Sequence, residues 1–535
     1  MKTKLNISLW ISLIMASSVI SGQGITIQPG ARFTVQNGAK LATTGTAGIT
    51  VKSDATVTGS FLDQNTSSGN VTFNGIQTVQ RYIPNDFTWH FLSSPVSAQV
   101  IWPEFSPEPT GIPLSFGAGP DYNWDFYYWN PNADTETELY WINLRQDATG
   151  SYNSRNVDEP GSNAGFGVAP PAVTIGRGYL TSYKDAWTTG SPETHSFTGA
   201  LNTGEISRAI TKGANSWNLV GNPYPSSVDW QATTGWTRST LTTSGSGYDY
   251  WIYVGSAGNY GVCNSTPGEE GTLGTTRYIA PMQGFFINAA SSGTLSMDNS
   301  IRVHSIQSWL KGTGDANNML RLKLTTNANS YNDEMIVKVN PAFEDEGSQK
   351  LWSMEQEAPE IYSIKDGVNY SIDRMPSVNE TSVVNLGVKA GVSAGYTLTV
   401  SGLESFYTAK SVILEDLKTG TIQTLNDNNV YTFSASPDDQ ANRLKLSFDG
   451  PYGIDDGAKA NPVTIYSYEK TIVIRSNSTE ILKGEVYVYD LVGQTIKHLK
   501  VNNNLILIPM DGITGYYVVA LLTDNGIYNG KVFLY

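Results

Sequence analysis

Leu320-Arg321-Leu322-Lys323-Leu324 and, further along, Arg443-Leu444-Lys445-Leu446-Ser447-Phe448 alternate strictly between apolar and polar side chains. A period of two sends successive side chains to opposite faces of a strand. One buried face and one wet face mark an antiparallel sheet, so residues 308–450 read as an antiparallel β-sandwich. On this reading Leu320, Leu322, Leu324, Leu444, Leu446 and Phe448 fill the core, while Arg321, Lys323, Arg443 and Lys445 face water. Asp438-Asp439, ahead of the last of these strands, reads as a turn rather than a calcium ligand pair.

Downstream, residues 451–459 are rich in Gly and Asp and read as a linker. Residues 460–535 then hold seven short strand-like runs with turn residues between them, the pattern of a small immunoglobulin-like β-sandwich. Tyr489, Asp490 and Gly493 form an aromatic-Asp-x-x-Gly turn, Gly515 and Tyr517 a Gly-x-Tyr strand start, and Lys531-Val532 a terminal strand. Together these residues resemble the type A C-terminal sorting domain of the type IX secretion system of Bacteroidota. The family's Pro-Asn-Pro opening is reduced here to Asn461-Pro462. The resemblance implies the type IX machinery as a partner and passage across the outer membrane. It also implies removal of this domain, followed by release or by attachment to surface glycolipid.

Upstream, an eight-residue repeat runs through residues 29–57. Pro29-Gly30-Ala31-Arg32-Phe33 recurs as Asn37-Gly38-Ala39-Lys40-Leu41, then Gly45-Thr46-Ala47-Gly48-Ile49, then Ser53-Asp54-Ala55-Thr56-Val57. Turn formers open each unit, and a short strand comes after them. Residues 23–60 therefore read as a flattened β-solenoid with two units per coil, Phe33, Leu41, Ile49 and Val57 pointing inward. Eight inward apolar residues return about 2 kcal/mol each. Ordering the segment costs at least about 1 kcal/mol per residue, so the solenoid is expected to dock on the neighbouring aromatic-rich region.

That region, residues 61–307, lies between repeat and sandwich and reads as β structure. Ten of the thirteen tryptophans fall between Trp89 and Trp251, so this region dominates any reading of a binding site. The phrases Gln80-Arg81-Tyr82-Ile83, Trp89-His90-Phe91-Leu92, Trp217-Asn218-Leu219-Val220-Gly221-Asn222-Pro223-Tyr224-Pro225 and Pro281-Met282-Gln283-Gly284-Phe285-Phe286 are similar to a region of large surface proteins carrying the same sorting domain. No activity follows from that likeness. In Asp121–Asn130, alternation sets Tyr122, Trp124, Phe126 and Tyr128 on a core face and Asn123, Asp125, Tyr127 and Trp129 on the other. In Tyr248–Val254 the core face is Tyr248, Tyr250, Ile252 and Val254, and the second face Asp249, Trp251 and Tyr253. A second face of flat aromatics beside carboxylates suits a sugar ring, whose C–H groups stack while its hydroxyls bond Asp. Asp125, Tyr127, Trp129, Asp249, Trp251 and Tyr253 are thus the candidate ligand-binding residues. The competing reading buries Trp129 and Trp251 under a second core layer. Asn132, Asp134, Glu136 and Glu138 read as a solvated acidic edge, since the loop lacks the glycine an EF-hand turn needs.

Lys2 and Lys4 precede an apolar run from Leu5 to Ile20 with small residues at Ser21-Gly22, so residues 1–22 read as an export signal. No later stretch is apolar enough to cross a bilayer, which leaves a secreted or outer-membrane surface location once the signal is removed. A formal net charge of −14 without a basic cluster argues against nucleic acid as a partner. The single cysteine, Cys263, reads as a buried inert thiol. The chain carries no His-Glu-x-x-His motif, Gly-x-Ser-x-Gly elbow or P-loop, so no catalytic residue, metal site or cofactor is assigned. The expectation is an all-β, adhesin-like binding protein of the cell surface or medium, with a glycan as its candidate ligand and no catalytic activity assigned. The alternatives are a polysaccharide-active enzyme using a carboxylate pair and a purely structural surface or matrix component.

Overall fold

The computed structural model describes residues 24–534 except 44–47, 67, 85, 87, 102–103, 106–121, 134–139, 147–151, 157–163, 168–170, 184–192, 306–317, 407, 410, 449–462, 469, 477–480, 511–513 and 524–525. The export signal, the linker, Asn461-Pro462 and most of the acidic edge therefore lie outside the described residues. The fold is all-β, with two short 3-10 turns as the helical elements among the described residues.

The repeat forms parallel stacks. Ile25–Ile27 lies beside Ile49–Val51, Arg32–Val35 beside Ser60–Asp63, and Leu41–Thr43 beside Val71–Phe73, all in parallel register. Ile25 pairs with Ile49, so one coil spans three eight-residue units, not the two expected. The spacing sets the turns, and three strands per coil leave room for an apolar axis of Ile27, Val35, Ile49, Val51 and Phe61. Phe33 and Leu41 pack on that axis part-buried. Val57 departs from the pattern and is only half-buried. Its unit bends into a hairpin, closed by a Ser53–Thr58 bridge and by the Asp54 carboxylate accepting from the N–H groups of Thr56 and Val57. Docking on the central region occurs as the energetics require. Strand Gln77–Tyr82 extends the stack and pairs antiparallel with Thr194–Gly199, and one core joins Ile49 and Phe61 to Phe126, Tyr179 and Met282.

A buried polar latch reinforces this seam. The Asp63 carboxylate accepts from the Thr203 hydroxyl at 2.5 Å and the Asn299 amide at 3.2 Å, and Arg302 donates to the Phe61 carbonyl at 2.7 Å.

In the central region a six-stranded sheet contains Tyr122–Trp129 between Trp141–Gln146 and Tyr179–Thr181. A second sheet joins Trp217–Gly221, Gly284–Asn288, Gly247–Val254 and Asn259–Asn264. Cys263 is fully buried in it, and burial holds its thiol well above the usual range.

Residues 319–448 form an eleven-stranded sheet whose two halves face each other over one core. Leu320, Leu322, Leu324, Leu444, Leu446 and Phe448 are all 0% exposed there, as the alternation requires. The opposite face is less wet than expected. Lys323 is exposed, but Arg321 reaches Glu334 at 2.6 Å and also the central region's Glu270. Arg443 is enclosed, its guanidinium held by Asp416 at 2.9 Å. Asp439 pairs with Lys418 at 2.6 Å and caps the Ser436 N–H.

Residues 463–534 build seven strands in two sheets around a core of their own, including Ile472, Val486, Val519 and Val532. Tyr489 ends strand Leu482–Tyr489, and the Asp490 carboxylate accepts from the N–H groups of Val492 and Gln494. Gly493 sits there at φ +86°, a conformation that favours glycine. Gly515 opens its strand, Tyr517 pairs with Val532, and the Lys531 ammonium lies 4.4 Å from the centre of the Tyr516 ring. Arg475 donates to the Gly420 carbonyl at 2.5 Å, which ties this unit to the sandwich.

Candidate functional site

The two aromatic strands place their second faces in one shared layer. Trp251 meets Trp217 edge-on at 4.8 Å, Trp217 meets Phe286 at 6.2 Å, and Phe286 meets Trp129 at 4.9 Å. That layer is not an open platform. Trp251 and Tyr253 are each 4% exposed, and Asp249 5%. Met319, Ile336 and Ile372 of the sandwich lie over them in the same core. The polar groups are taken as well. The Trp251 indole N–H donates to the Gln349 carbonyl at 3.0 Å, and the Tyr253 hydroxyl to Glu355 at 3.2 Å. Asp249 accepts from Asn264 at 2.7 Å and from Ser348 at 2.8 Å. Burial raises its pKa against the pull of Arg374. The expectation that Trp251 is exposed is therefore corrected: alternation identifies the face but not its cover, and the cover here is the sandwich.

Trp129 is half-buried, stacked on Tyr140 at 4.8 Å, with its N–H on Asn215 at 3.3 Å. Tyr127 is also half-buried and meets Trp89 edge-on at 5.9 Å. The side chain of Asp125 lies outside the described residues.

A cavity of about 390 Å³ opens at the junction of repeat and central region. Small-molecule sites commonly occupy roughly 300–1,000 Å³, so its size is that of a ligand pocket. The hairpin around Asp54 forms one wall, Arg81 and Tyr82 a second, and Tyr250, Tyr253 and Tyr278 a third. Arg81 is 4% exposed, and burial lowers its pKa to about 9, which leaves it charged at neutral pH. His90, also on the wall, is pushed by burial to about 4 and is neutral there. Asp54 is held below its ordinary pKa by its hydrogen bonds to Thr56 and Val57. Rings, hydroxyls, one guanidinium and the carboxylates of Asp54 and Asp86 thus share one concave surface. Of the candidate residues whose side chains are described, Tyr253 alone contributes to it. Arg81 and His90 belong to quoted phrases, but nothing in their local spacing marks them as walls of one space.

Residues 8–448 match the family described as "Domain of unknown function (DUF8693)". The chain belongs to that family. The match ends on the last residue of strand Asn442–Phe448 and takes in the repeat, the central region and the sandwich. The chain is also similar to the "Minor fimbrium subunit Mfa5" of Porphyromonas gingivalis, at 25% identity over 218 residues. That match covers 40% of this chain and 17% of the length of the fimbrium subunit. Among solved structures, "Biofilm associated protein - BSP domain" aligns at 8% identity and TM-score 0.18, covering 85% of this chain and 92% of that one. An adhesin described as "Ca2+-stabilized" and as helping "an Antarctic bacterium reach out and bind ice" aligns at 12% identity and TM-score 0.12, covering 77% and 89%. At these TM-scores neither structure bears on the architecture.

Proposed function

We propose that this protein is exported to the bacterial cell surface or the medium and acts there as an adhesin-like binding protein, with a glycan as its ligand. The observation that carries the reading is the junction cavity, where the part-exposed rings of Tyr82 and Tyr278 share a concave lining with the Arg81 guanidinium and several hydroxyls. Such a wall offers a sugar ring both a stacking face and hydrogen-bonding groups. Kinship with a fimbrium subunit over 218 residues supports a surface role. Delivery by the type IX machinery, with residues 460–535 as the sorting signal and surface glycolipid as the attachment point of any retained protein, is part of the same proposal. The turn at Asp490 and Gly493, the strand start at Gly515 and the position of Lys531-Val532 within the last strand, Gly526–Leu534, support it.

The test is a glycan array probed with the mature chain. Tyr278→Ala and Ser256→Trp, the second at an exposed position on the cavity mouth, are expected to abolish binding without altering the fold. Binding that survives both substitutions, or no binding by the wild type, refutes the cavity reading. Cleavage of a bound glycan would favour the polysaccharide-active enzyme, with Asp54 and Asp86 as its first candidates.

A further inference from the structure

Lys350, Asp333 and Glu360 meet inside the sandwich, and none of the three side chains has exposed surface. Asp333 lies on Asn332–Val339 and Glu360 opens Glu360–Lys365. Lys350 follows Gly347–Gln349 and is pinned by its own N–H on the Asn369 carbonyl at 2.8 Å. Its ammonium nitrogen is 2.6 Å from Asp333 Oδ2 and 3.7 Å from Glu360 Oε2. The Ile361 N–H donates to the same Asp333 oxygen at 2.7 Å. Asp333 Oδ1 is buried without a hydrogen-bond partner among the described residues. Lys389, half-exposed, holds the other oxygen of Glu360 at 2.7 Å.

As a purely ionic cluster this arrangement is poor. Desolvation of a buried pair commonly cancels its attraction, and an orphaned carboxylate oxygen adds a further penalty. As a reacting cluster it is well made. An amine is in contact with a carboxyl, a second carboxylate is within reach of that amine, and bulk water is excluded.

We propose that Lys350 and Asp333 become joined by an intramolecular isopeptide bond, with Glu360 as the proton-transfer group. Lys350 passes one proton to Asp333, giving a neutral amine and a neutral acid. The amine lone pair attacks the Asp333 carboxyl carbon and the C–N bond forms. Glu360 takes a second proton from the nitrogen and delivers it to the departing hydroxyl. The C–O bond breaks and water leaves, so the balance needs no oxidant, reductant or cofactor. Burial and the neighbouring Glu360 charge raise the Asp333 pKa to about 6 against the pull of Lys350, which favours the neutral acid that the attack requires. The product removes two buried charges and ties two segments of one sheet together covalently.

Intact mass spectrometry of the purified, denatured wild-type chain tests the proposal. The expected mass is one water below the sequence value, with a branched peptide linking the Lys350 and Asp333 segments after digestion. Lys350→Arg and Glu360→Gln, the latter keeping both reacting groups, are expected to restore the full mass. A folded wild-type chain at full mass, with Lys350 and Asp333 recovered in separate peptides, overturns the proposal. So does a water loss that persists in both variants. If neither variant folds, the wild-type digest decides alone.

Discussion

The indole N–H of Trp251 donates to the main-chain carbonyl of Gln349 at 3.0 Å, across the seam between the central region and the sandwich. A ring that fills a core and closes a backbone hydrogen bond at the same time is an anchor. Trp251→Ala is therefore expected to destabilise the protein by about 3–5 kcal/mol, the usual cost of emptying a buried Trp site. Urea denaturation measures it. Glycan binding by whatever protein remains folded is expected to be unchanged, and a loss of binding at full stability would contradict the anchor role.

Asp63 gathers Thr203, Asn299 and Asn65 at the seam between the repeat and the central region. Asp63→Ala removes the acceptor these donors share, while each keeps a second one, so the expected cost is about 1–3 kcal/mol in total. The expected result is faster proteolysis within residues 24–82 and little change in the sandwich, read by limited digestion with peptide mapping.

His304 clamps the repeat by contacts to Thr34 at 2.7 Å and Ser60 at 2.8 Å. Burial, helped by Arg32 and Arg302, lowers its pKa from 6.5 to about 4. Between those values the unfolded chain takes up a proton that the folded chain refuses. Stability thus falls as pH drops from 6.5 toward 4 and is intact above 6.5. The contribution of His304 is on the order of 1–3 kcal/mol. Urea midpoints at neutral and mildly acidic pH are expected to differ less in His304→Gln than in the wild type.

Removal of residues 460–535 is expected to leave the protein in the periplasm, folded and soluble, because this unit has its own core. Cell fractionation measures it. Normal export of the truncated chain would refute the sorting assignment.

Much of the architecture is legible in short-range pattern. Alternation at Leu320–Leu324 and Leu444–Phe448 identifies the buried face without error, and the eight-residue spacing identifies the repeat. What covers a second face is not local information. Arg443 finds Asp416 at 27 positions' separation, and Trp251 finds Gln349 at 98. The number of strands per coil depends on how sharply the chain turns between units, which spacing alone does not encode. The junction cavity is invisible in sequence for the same reason, since its walls come from segments far apart along the chain. The Lys350–Asp333–Glu360 cluster is equally silent, because three common residue types carry no signature.

Parallel coils have no natural length, because every rung is a template for the next. Here the ladder changes direction at its last rung, where Gln77–Tyr82 meets Thr194–Gly199 head to tail. The spacing of donors and acceptors on an antiparallel edge differs from that on a parallel one. The later part of the chain thus acts as an end-stop on this face of the coil, where the next place in the ladder is already taken and no further parallel rung can be added.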